Sequence, residues 1–342
     1  MASSRKQGVS ESIATYGNAT RNYTALATWE AATDVDLVAT TTSYVLECYD
    51  DAASFNDSVS LAGATTNASY FRIIRPAAGQ GHDGTPNNGV WFNYTASANV
   101  FTLSESFSSI QDIITTLTID TSVDRYSFYS TVDNANFVGC IAWDGNNVNA
   151  TAFAGGFYAI TAVDGTTFIN CLAIGNEAFG FRNSPVTEDT TYFYNCTSYG
   201  NGTYGFATAT TGLGTTVWTN CLATGNTTAD FADLNTGANV MTVTYCASAD
   251  ATADDWGGAG NRVSQTFSFV NTATDDYHLA STDAGARNYG TDLSATFADD
   301  IDKQTRPGES VWDIGFDEYI GEIGELITPV DEERGTFRGA FR

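Results

Sequence analysis

The sequence is poor in cations. Its 342 residues contain 14 Lys and Arg against 40 Asp and Glu, which gives a formal net charge of −26. Nucleic acids and anionic membrane surfaces are bound largely through Lys and Arg side chains that neutralise phosphate. The shortage of cations therefore argues against both as partners, and we expect neither nucleic acid nor membrane to be bound.

Long apolar runs and histidines are also missing. No stretch approaches the roughly 18 consecutive apolar residues of a membrane span, and residues 1–8 lead into polar sequence in place of the apolar core of a secretory signal. The two histidines, His82 and His278, lie far apart in the sequence. Neither has a Ser or Cys partner or a second metal ligand nearby, so we expect structural or solvated roles for both.

What the sequence has is an internal repeat that is marked by its cysteines. Cys171, Cys196, Cys221 and Cys246 recur every 25 residues, and Cys140 stands 31 residues before the first of them. Each of the four regular copies has an aromatic residue ten positions after its cysteine. A small residue follows every cysteine by two positions, at Ala142, Ala173, Ser198, Ala223 and Ser248.

The period and composition of the repeat predict the fold class. Leucine-rich repeats require a leucine consensus, and propeller blades require about 40 residues or more. Short β-rich runs that are separated by Gly-Asn turns are typical of a solenoid whose coils stack at about 4.8 Å. We therefore predict an all-β fold, a right-handed parallel β-helix with coils of about 25 residues and a short N-terminal capping helix.

Stacked coils place equivalent residues in columns. We predict a structural ladder of buried, free thiols at Cys140, Cys171, Cys196, Cys221 and Cys246. A metal site would need paired ligands such as CxxC with a histidine nearby, and the sequence has neither. Five stacked cysteines plus the distant Cys48 also leave no sensible disulfide pairing. Free thiols agree with synthesis in a reducing compartment. Asn176, Asn201 and Asn226 are predicted to occupy a turn, with a left-handed backbone and with side-chain amides that bond to the backbone of the next coil.

We predict four regions along the chain. Residues 1–22 form an N-terminal arm, and 23–87 form an N-terminal cap with the first irregular strands. The cap includes a helix over 24–32 with Thr24 available as N-cap. Residues 88–319 form the parallel β-helix with a closing segment over 264–319, and 320–342 form an extended C-terminal docking tail.

The C-terminal tail concentrates the positive charge. Residues 334–342 contain three arginines and no acid, and they repeat Arg-Gly-x-Phe. Arginines that pair with carboxylates and phenylalanines that fill pockets are typical anchors of an interface. We predict docking through Arg334, Phe337, Arg338, Phe341 and Arg342, the alternative being a chain end without a function.

The closing segment carries four motifs in a fixed order, DYHL at 276–279, DAGARNYG at 283–290, DKQTRP at 302–307 and WDIGFDEY at 312–319. This succession resembles the closing segment of many bacterial and viral parallel β-helix proteins, and the chain is similar at fold level to the pectate-lyase-like superfamily. The motif at 284–287 departs from the usual pattern, with Ala-Gly-Ala-Arg for Ile-Asp-Ala-Gly. The resemblance implies a fold and no activity, because that fold hosts lyases, hydrolases, adhesins and phage spikes.

No catalytic, cofactor-binding or metal-binding residue is assigned from the sequence. Lyases of this fold need Arg or Lys near Ca²⁺-binding carboxylates, and Arg182 is the only cation between residues 126 and 261. The ordered hydrolase motifs are missing, and the pair Asp254-Asp255 is more typical of a turn. Two acidic clusters, at 299–302 and 313–318, have the hard oxygen ligands that Ca²⁺ prefers, with solvated surface as the alternative.

One exterior line of the predicted coils carries large side chains. Ile174, Tyr199 and Thr224 are predicted to stack on the outside, beside Phe179 and Tyr204. Such a short aromatic ladder suits a host glycan or a second subunit, and ordinary solenoid surface is the alternative.

These observations lead to one expected function and two alternatives. We expect a non-enzymatic structural protein of a tailed bacteriophage particle, a capsid decoration, spike or fibre component that resembles β-helical virion proteins. It would be assembled in the host cytoplasm, form a homotrimer, contact other virion proteins through its termini and reach host glycan. The first alternative is a polysaccharide lyase or hydrolase of the same fold, and the second is an adhesin at the cell surface.

Overall fold

The computed structural model describes residues 10–321, with the exception of Asn87, Ala150, Thr151, Ala162, Thr187, 210–212 and 236–238. The described residues contain 26 strands, two α-helices and two 3₁₀ turns. Strands β1 to β26, in chain order, are Ser10–Tyr16, Thr42–Cys48, Val59–Leu61, Arg72–Pro76, Trp91–Thr95, Phe101–Leu103, Ser108–Gln111, Ile114–Ile119, Arg125–Ser130, Asn136–Val138, Ile141–Trp143, Asn146–Asn147, Ala154–Thr161, Thr166–Ile169, Leu172–Ile174, Phe181–Pro185, Thr190–Tyr194, Thr197–Tyr199, Tyr204–Thr208, Thr215–Thr219, Leu222–Thr224, Ala229–Ala232, Val240–Thr244, Ala247–Ser248, Phe269–Asn271 and Asp276–Leu279. The helices are α1, Leu26–Thr33, and α2, Leu37–Thr40, and the 3₁₀ turns are Thr252–Asp254 and Thr272–Thr274.

Three parallel sheets form the walls of the solenoid. Sheet 1 has nine strands in the order β1-β2-β4-β7-β10-β14-β17-β20-β23. Sheet 2 has the order β12-β8-β11-β15-β18-β21-β24 with β5 beside β8, and sheet 3 has the order β22-β19-β16-β13-β9-β6-β3. From β4 onward the chain passes from sheet 1 to sheet 2 to sheet 3 and back again, with β12 as an extra strand of sheet 2, so the predicted all-β parallel β-helix is confirmed. At about 4.8 Å per strand, the nine strands of sheet 1 span roughly 38 Å.

The 25-residue period sets the register between neighbouring coils. In sheet 1, Phe168 lies opposite Phe193, which lies opposite Trp218. In sheet 2, Ala173 lies opposite Ser198, which is followed by Ala223. Residues at the same position of the repeat therefore stack along the axis, which is the arrangement that the cysteine spacing predicts.

Stacked phenyl rings fill the core against sheet 3. Neighbouring rings lie 4.6–5.8 Å apart between centroids and within 11° of parallel. Offset stacking of aromatic rings adds about 0.5–1.5 kcal/mol per pair beyond the burial of their surface. The column comprises Phe101, Phe128, Phe157, Phe181, Phe206 and Phe231.

The predicted N-terminal helix is present as α1, which packs against β3. Leu26 and Trp29 insert from α1 into the core of the first coils. The prediction of Thr24 as N-cap is wrong, because Ala25 occupies that position without a side-chain cap bond. The carboxylate of Asp57 takes over the role and accepts a hydrogen bond of 2.8 Å from the Leu26 N–H.

The first strand lies within the segment that the sequence suggested as an arm. Strand β1 pairs with β2 in parallel over all seven of its residues, so the solenoid wall already begins at Ser10. The sheets also run without a break across residue 88, because β3 pairs with β6 and β4 with β7. The parallel coils therefore start far earlier in the chain than the regular repeat does.

The closing segment, residues 264–319, leaves the coils and returns along the outside of the rod. It contains the antiparallel pair β25 and β26, and its side chains pack over the outer surface of sheet 2. Neither α-helix of the described residues is long and apolar enough to cross a bilayer. The closing segment therefore covers the outer face of sheet 2, and its Phe297 and Trp312 also pack against Ile169 on the outside of sheet 1.

Candidate functional site

An asparagine immediately before the cysteine in three consecutive coils fastens the closing segment to the solenoid. Asn170, Asn195 and Asn220, the outer asparagine column, have left-handed backbones with φ between 49° and 54°. This conformation makes the sharp turn from sheet 1 into sheet 2, and asparagine adopts it more readily than most residues. The turn leaves the three side-chain amides facing the closing segment.

Each amide of the outer column donates a hydrogen bond to a backbone carbonyl of the closing segment. Asn170 Nδ2 donates to Asp299 O at 2.8 Å. Asn195 Nδ2 lies 3.0 Å from Asp313 O and 2.9 Å from Gly315 O. These contacts satisfy backbone groups of an irregular segment, which would otherwise be costly to bury. The repeat thus supplies regularly spaced attachment points for a segment that does not itself repeat.

Apolar side chains complete the interface beneath the closing segment. Ile114, Ile141 and Leu172 on the outer face of sheet 2 are fully or almost fully buried in one cluster with Ile301 and Phe316. Burial of such apolar surface contributes about 25 cal/mol per Å². The outer face of sheet 2 is therefore an internal surface of the folded chain.

This cover corrects the predicted exterior ladder. Ile174 is 3% exposed, and the Tyr199 ring lies 4.6 Å from the Tyr277 ring of the closing segment. Both belong to the apolar interface and not to an open surface. Phe179 and Tyr204 lie on another wall, outside sheet 3, where their rings stack at 5.7 Å. The predicted ladder is thus divided between two faces.

A carboxylate cluster lies at the same interface. Asp300, Asp302 and Asp317 each place an oxygen within 4.8 Å of the others, so the two acidic clusters of the sequence each contribute members to one group. The structure does not support the alternative of a solvated surface, because Asp300 and Asp317 are 0% and 3% exposed.

The buried carboxylates bond to the backbone of the closing segment. Asp300 accepts hydrogen bonds from the N–H groups of Gln304 and Glu318, at 2.7 and 3.1 Å. Asp317 accepts one of 2.6 Å from the Leu279 N–H. Burial, together with the nearby Asp302, raises the pKa of Asp300 to about 9, and burial raises the pKa of Asp317 to about 6. Crowded carboxylates in a poorly solvated place favour their protonated forms.

His278 borders this cluster. Its Nδ1 lies 2.7 Å from Asp276 Oδ1, and its Nε2 lies 3.9 Å from Asp302 Oδ2. Burial opposes the charged imidazolium, but the surrounding carboxylates, with Asp317 foremost, outweigh it and raise the pKa of His278. His82 is buried and its Nε2 lies 2.7 Å from Gly139 O, while burial lowers its pKa. The two histidines therefore differ in their charge environments.

A second buried group closes the C-terminal motif. The guanidinium of Arg306 pairs with Glu318 at 3.0 Å, and both side chains are almost completely buried. Asp313 accepts hydrogen bonds from the N–H groups of Asn288 and Tyr319, at 2.6 and 2.7 Å. Burial and the neighbouring Glu318 raise the pKa of Asp313 to about 7. These residues come from three of the four motifs that carry the resemblance, and their contacts hold the closing segment together.

The chemistry open to the carboxylate cluster is narrow. Three carboxylates with oxygens within 4.8 Å of one another provide the hard oxygen ligands that Ca²⁺ prefers. A proton shared between two of the carboxylates also reduces the repulsion between their negative charges. Asp254 and Asp255, the acid pair of the sequence, are exposed beside a 3₁₀ turn. Arg182 is on the outer face of sheet 3, far in sequence from the cluster, where its Nη1 donates to Tyr126 Oη at 2.8 Å.

The cysteines of the structural ladder are brought together in one column. Cys140, Cys171, Cys196, Cys221 and Cys246 are all free and 0% exposed, and so is Cys48. Burial raises the pKa of Cys140, Cys196 and Cys246, each of which lies against a neighbouring thiol. The thiols of Cys140, Cys196 and Cys246 therefore favour their protonated forms, and all five side chains of the column are packed in the core.

The inner asparagine column, Asn176, Asn201 and Asn226, bonds from coil to coil, but its amides donate to the next amide and to backbone carbonyls of the preceding coil, not to the backbone of the next coil as predicted. Asn176 Nδ2 donates to Asn201 Oδ1 at 3.0 Å, and Asn201 Nδ2 donates to Asn226 Oδ1 at 3.0 Å. The predicted left-handed backbone is wrong for these residues. The glycine before each of them adopts that conformation, with φ of 61–70° at Gly175, Gly200 and Gly225.

The docking residues Arg334, Phe337, Arg338, Phe341 and Arg342 lie outside the described residues. The outer asparagine column was missed by the sequence analysis, although its signal was present, because Asn precedes Cys in three consecutive copies of the repeat.

Comparison of the chain with protein-family models, curated proteins and solved structures finds no match. The parallel β-helix is therefore established by the strand pairing of the chain itself.

Proposed function

We propose that the chain is a non-enzymatic structural component of a tailed bacteriophage particle, as a capsid decoration, spike or fibre protein. The observation that carries the proposal is that buried aspartates bond to the backbone of the closing segment. Asp300, Asp313 and Asp317 accept hydrogen bonds from backbone N–H groups and hold the closing segment on the rod. Carboxylates that are buried and bonded to the backbone stabilise the fold, and they are poorly suited to transferring a proton to a substrate.

The architecture suits a part that must remain rigid. Stacked phenyl rings, packed thiols and the inner asparagine column run along the axis, so each coil is braced by its neighbours. A surface with a large excess of carboxylates also keeps such a rod soluble. The resemblance of the closing motifs and the concentration of cations at the chain ends support a particle in which the ends attach to other virion proteins.

Gradient-purified particles from an infected host provide the test. Mass spectrometry should detect the full chain at a constant ratio to the major capsid protein, and an antibody against the rod should label the particles. A chain that stays in the soluble lysate and never sediments with particles would refute the proposal. Release of oligosaccharide from host polysaccharide by the purified chain would favour the enzyme alternative.

A second role, contact with host glycan, is favoured by the exposed ring of Phe153 outside sheet 3, which lies against the largely buried Phe179. The Arg182 guanidinium carbon lies 4.7 Å from the Phe179 ring centre and 4.9 Å from that of Tyr158. Phe153, which is 43% exposed, meets Phe179 edge to face at 6.2 Å. Aromatic faces beside a polar group are suited to stacking on sugar rings. Binding of host glycan that Phe153→Ala weakens and Val148→Ala does not would support this role, and equal binding by all three proteins would exclude it.

A further inference from the structure

A surface pocket of about 430 Å³ lies near the N-terminal end of the rod. It is bounded by the turn that follows β2, with Asp50 and Asp51, and by the segment that enters β5, with Pro86 and Trp91. This pocket is separate from the carboxylate cluster, because its walls come from the first coils and not from the closing segment.

One carboxylate of the pocket is neutralised and the other is open. Asp51 receives two hydrogen bonds from Arg21, from Nε at 2.7 Å and from Nη2 at 2.8 Å. The side chain of Asp50 is exposed and takes part in none of the ion pairs of the described residues. The pocket therefore has a negative charge available to a ligand.

The aromatic wall of the pocket is fixed in orientation. Trp91 Nε1 donates to Thr116 Oγ1 at 3.2 Å, and the indole ring packs 5.7 Å from the ring of Trp143. An indole that is held in place beside a free carboxylate matches a guanidinium group, which stacks on aromatic faces and donates hydrogen bonds to carboxylates in its plane.

The chain itself contains a segment of matching charge. Residues 334–342, RGTFRGAFR, carry three arginines and no acid. The three arginines are four residues apart, so an extended chain presents all of them on one face and both phenylalanines on the other. Within the described residues, by contrast, seven cations are already paired with carboxylates.

The length of the segment allows it to reach the pocket. Tyr319, near the end of the described chain, packs in the cluster that contains Leu222, about six strand spacings from β2, or roughly 29 Å along the axis. Arg334 stands thirteen positions after Gly321, and an extended chain of thirteen steps spans about 43 Å. A tethered ligand within reach has a high effective concentration and competes well against free ligands.

We propose that the pocket beside Asp50 and Trp91 binds a guanidinium group, and that its occupant is an arginine of residues 334–342 of the same chain. The C-terminal segment is then laid back along the outside of the rod in the free protein. A partner that takes up this segment must first release it. The assignment does not depend on a place in a phage particle, because it concerns the isolated chain.

The indole N–H resonance of Trp91 in the ¹⁵N-labelled full chain gives a direct test, with Trp91→Phe for assignment. The triple variant R334Q/R338Q/R342Q should shift this resonance and should leave that of the buried Trp218 unchanged. Asp50→Asn should also shift it, and adding the triple change to Asp50→Asn should shift it no further. Arg5→Gln/Lys6→Gln is the matched control, since it neutralises the other cationic end of the chain.

The outcomes separate the occupants of the pocket. A tail-dependent shift that persists on dilution supports an arginine of the same chain, and raised salt should reduce it because the contact is near the surface. A shift that disappears on dilution assigns the pocket to a second copy and overturns the proposal. The proposal is also overturned if the Trp91 resonance does not shift in R334Q/R338Q/R342Q, or if it shifts in Arg5→Gln/Lys6→Gln instead. None of these results decides whether the chain sediments with particles.

Discussion

Asn220 and Thr291, which are 71 residues apart in the sequence, hold each other by two hydrogen bonds. Asn220 Nδ2 donates to Thr291 O at 2.8 Å, and the Thr291 N–H donates to Asn220 Oδ1 at 2.8 Å. The side chain thus imitates a backbone partner, and the Gly315 N–H donates to Asn220 O on the same residue at 2.8 Å. One asparagine of the coil therefore fixes two passes of the closing segment.

We predict that Asn220→Gly loosens the closing segment and leaves the coils intact. Glycine keeps the left-handed backbone at no cost, so the change removes the amide and little else. Loss of a buried hydrogen-bonding partner costs about 1–3 kcal/mol. Hydrogen exchange followed by mass spectrometry should show faster exchange over 286–301 and unchanged exchange in β14 and β17.

The control for this variant is Asn146→Ala, at an exposed position of β12. It should leave exchange over 286–301 as in the original chain. Equal protection of 286–301 in Asn220→Gly would show that the outer asparagine column does not fasten the segment.

The closing segment should become less stable as the pH rises. Burial and Glu318 raise the pKa of Asp313 from 3.8 to about 7, so the folded chain binds a proton that the unfolded chain releases. Its contribution is complete below about pH 4 and is lost as the pH rises through 7. The raised pKa values of Asp300 and Asp317 act in the same direction.

Asp313→Asn isolates this contribution because asparagine does not titrate. The full shift of the Asp313 pKa corresponds to about 4 kcal/mol, at about 1.4 kcal/mol per pH unit, and about 2 kcal/mol of it is lost between pH 5 and 7. Urea unfolding at both ends of this range should therefore show a smaller fall in stability for the variant than for the original chain. Parallel pH profiles for the two proteins would mean that Asp313 is ionised throughout.

The repeat predicts the coils well because each of its columns is a local consequence of strand spacing. A 25-residue period puts Cys171 beside Cys196 and Phe181 beside Phe206 whatever else the chain does. The capping helix is predicted for a similar reason, since its apolar positions follow helical spacing within a few residues. The sequence pattern predicts the structure correctly where a side chain contacts the equivalent residue of the neighbouring coil.

The closing segment does not repeat, and its position on the outside of the coils was not predicted from the sequence. Tyr199 was expected outside because its coil position faces away from the core, and that is correct for the coil alone. Tyr277 covers it from 78 residues further along the chain, and no local period encodes such a contact. The two acidic clusters of the sequence were not predicted to form one site for the same reason, because Asp300 and Asp317 become neighbours only when the segment folds over.

The thiols of the column should resist modification until the chain unfolds. All six cysteines are free and fully buried in the described structure, and burial disfavours the reactive thiolate. A thiol-reactive chromogenic disulfide should therefore react with none of them in the native protein and with six in denaturant. Fast reaction of any thiol under native conditions, or a loss of two mass units for each pair in the intact protein, would contradict the assignment.

Phe181 should contribute more to stability than any outward aromatic of the same coil. Its ring stacks on Phe157 at 4.6 Å and on Phe206 at 4.7 Å, at angles of 9° and 4°. Phe181→Ala removes both stacks and leaves a cavity, at a cost of about 3–5 kcal/mol. Urea unfolding monitored by far-UV circular dichroism should give a lower midpoint by the corresponding amount.

Two variants make that measurement decisive. Phe181→Leu removes the two stacks but keeps most of the apolar volume, so it should cost less than Phe181→Ala and provides a folded protein if the alanine variant does not accumulate. Tyr192→Ala removes an outward ring from sheet 1 and should change the free energy of unfolding by well under 1 kcal/mol, as is usual at the surface. Equal losses at Phe181 and Tyr192 would mean that the phenyl column does not stabilise the rod beyond the burial of ordinary apolar surface.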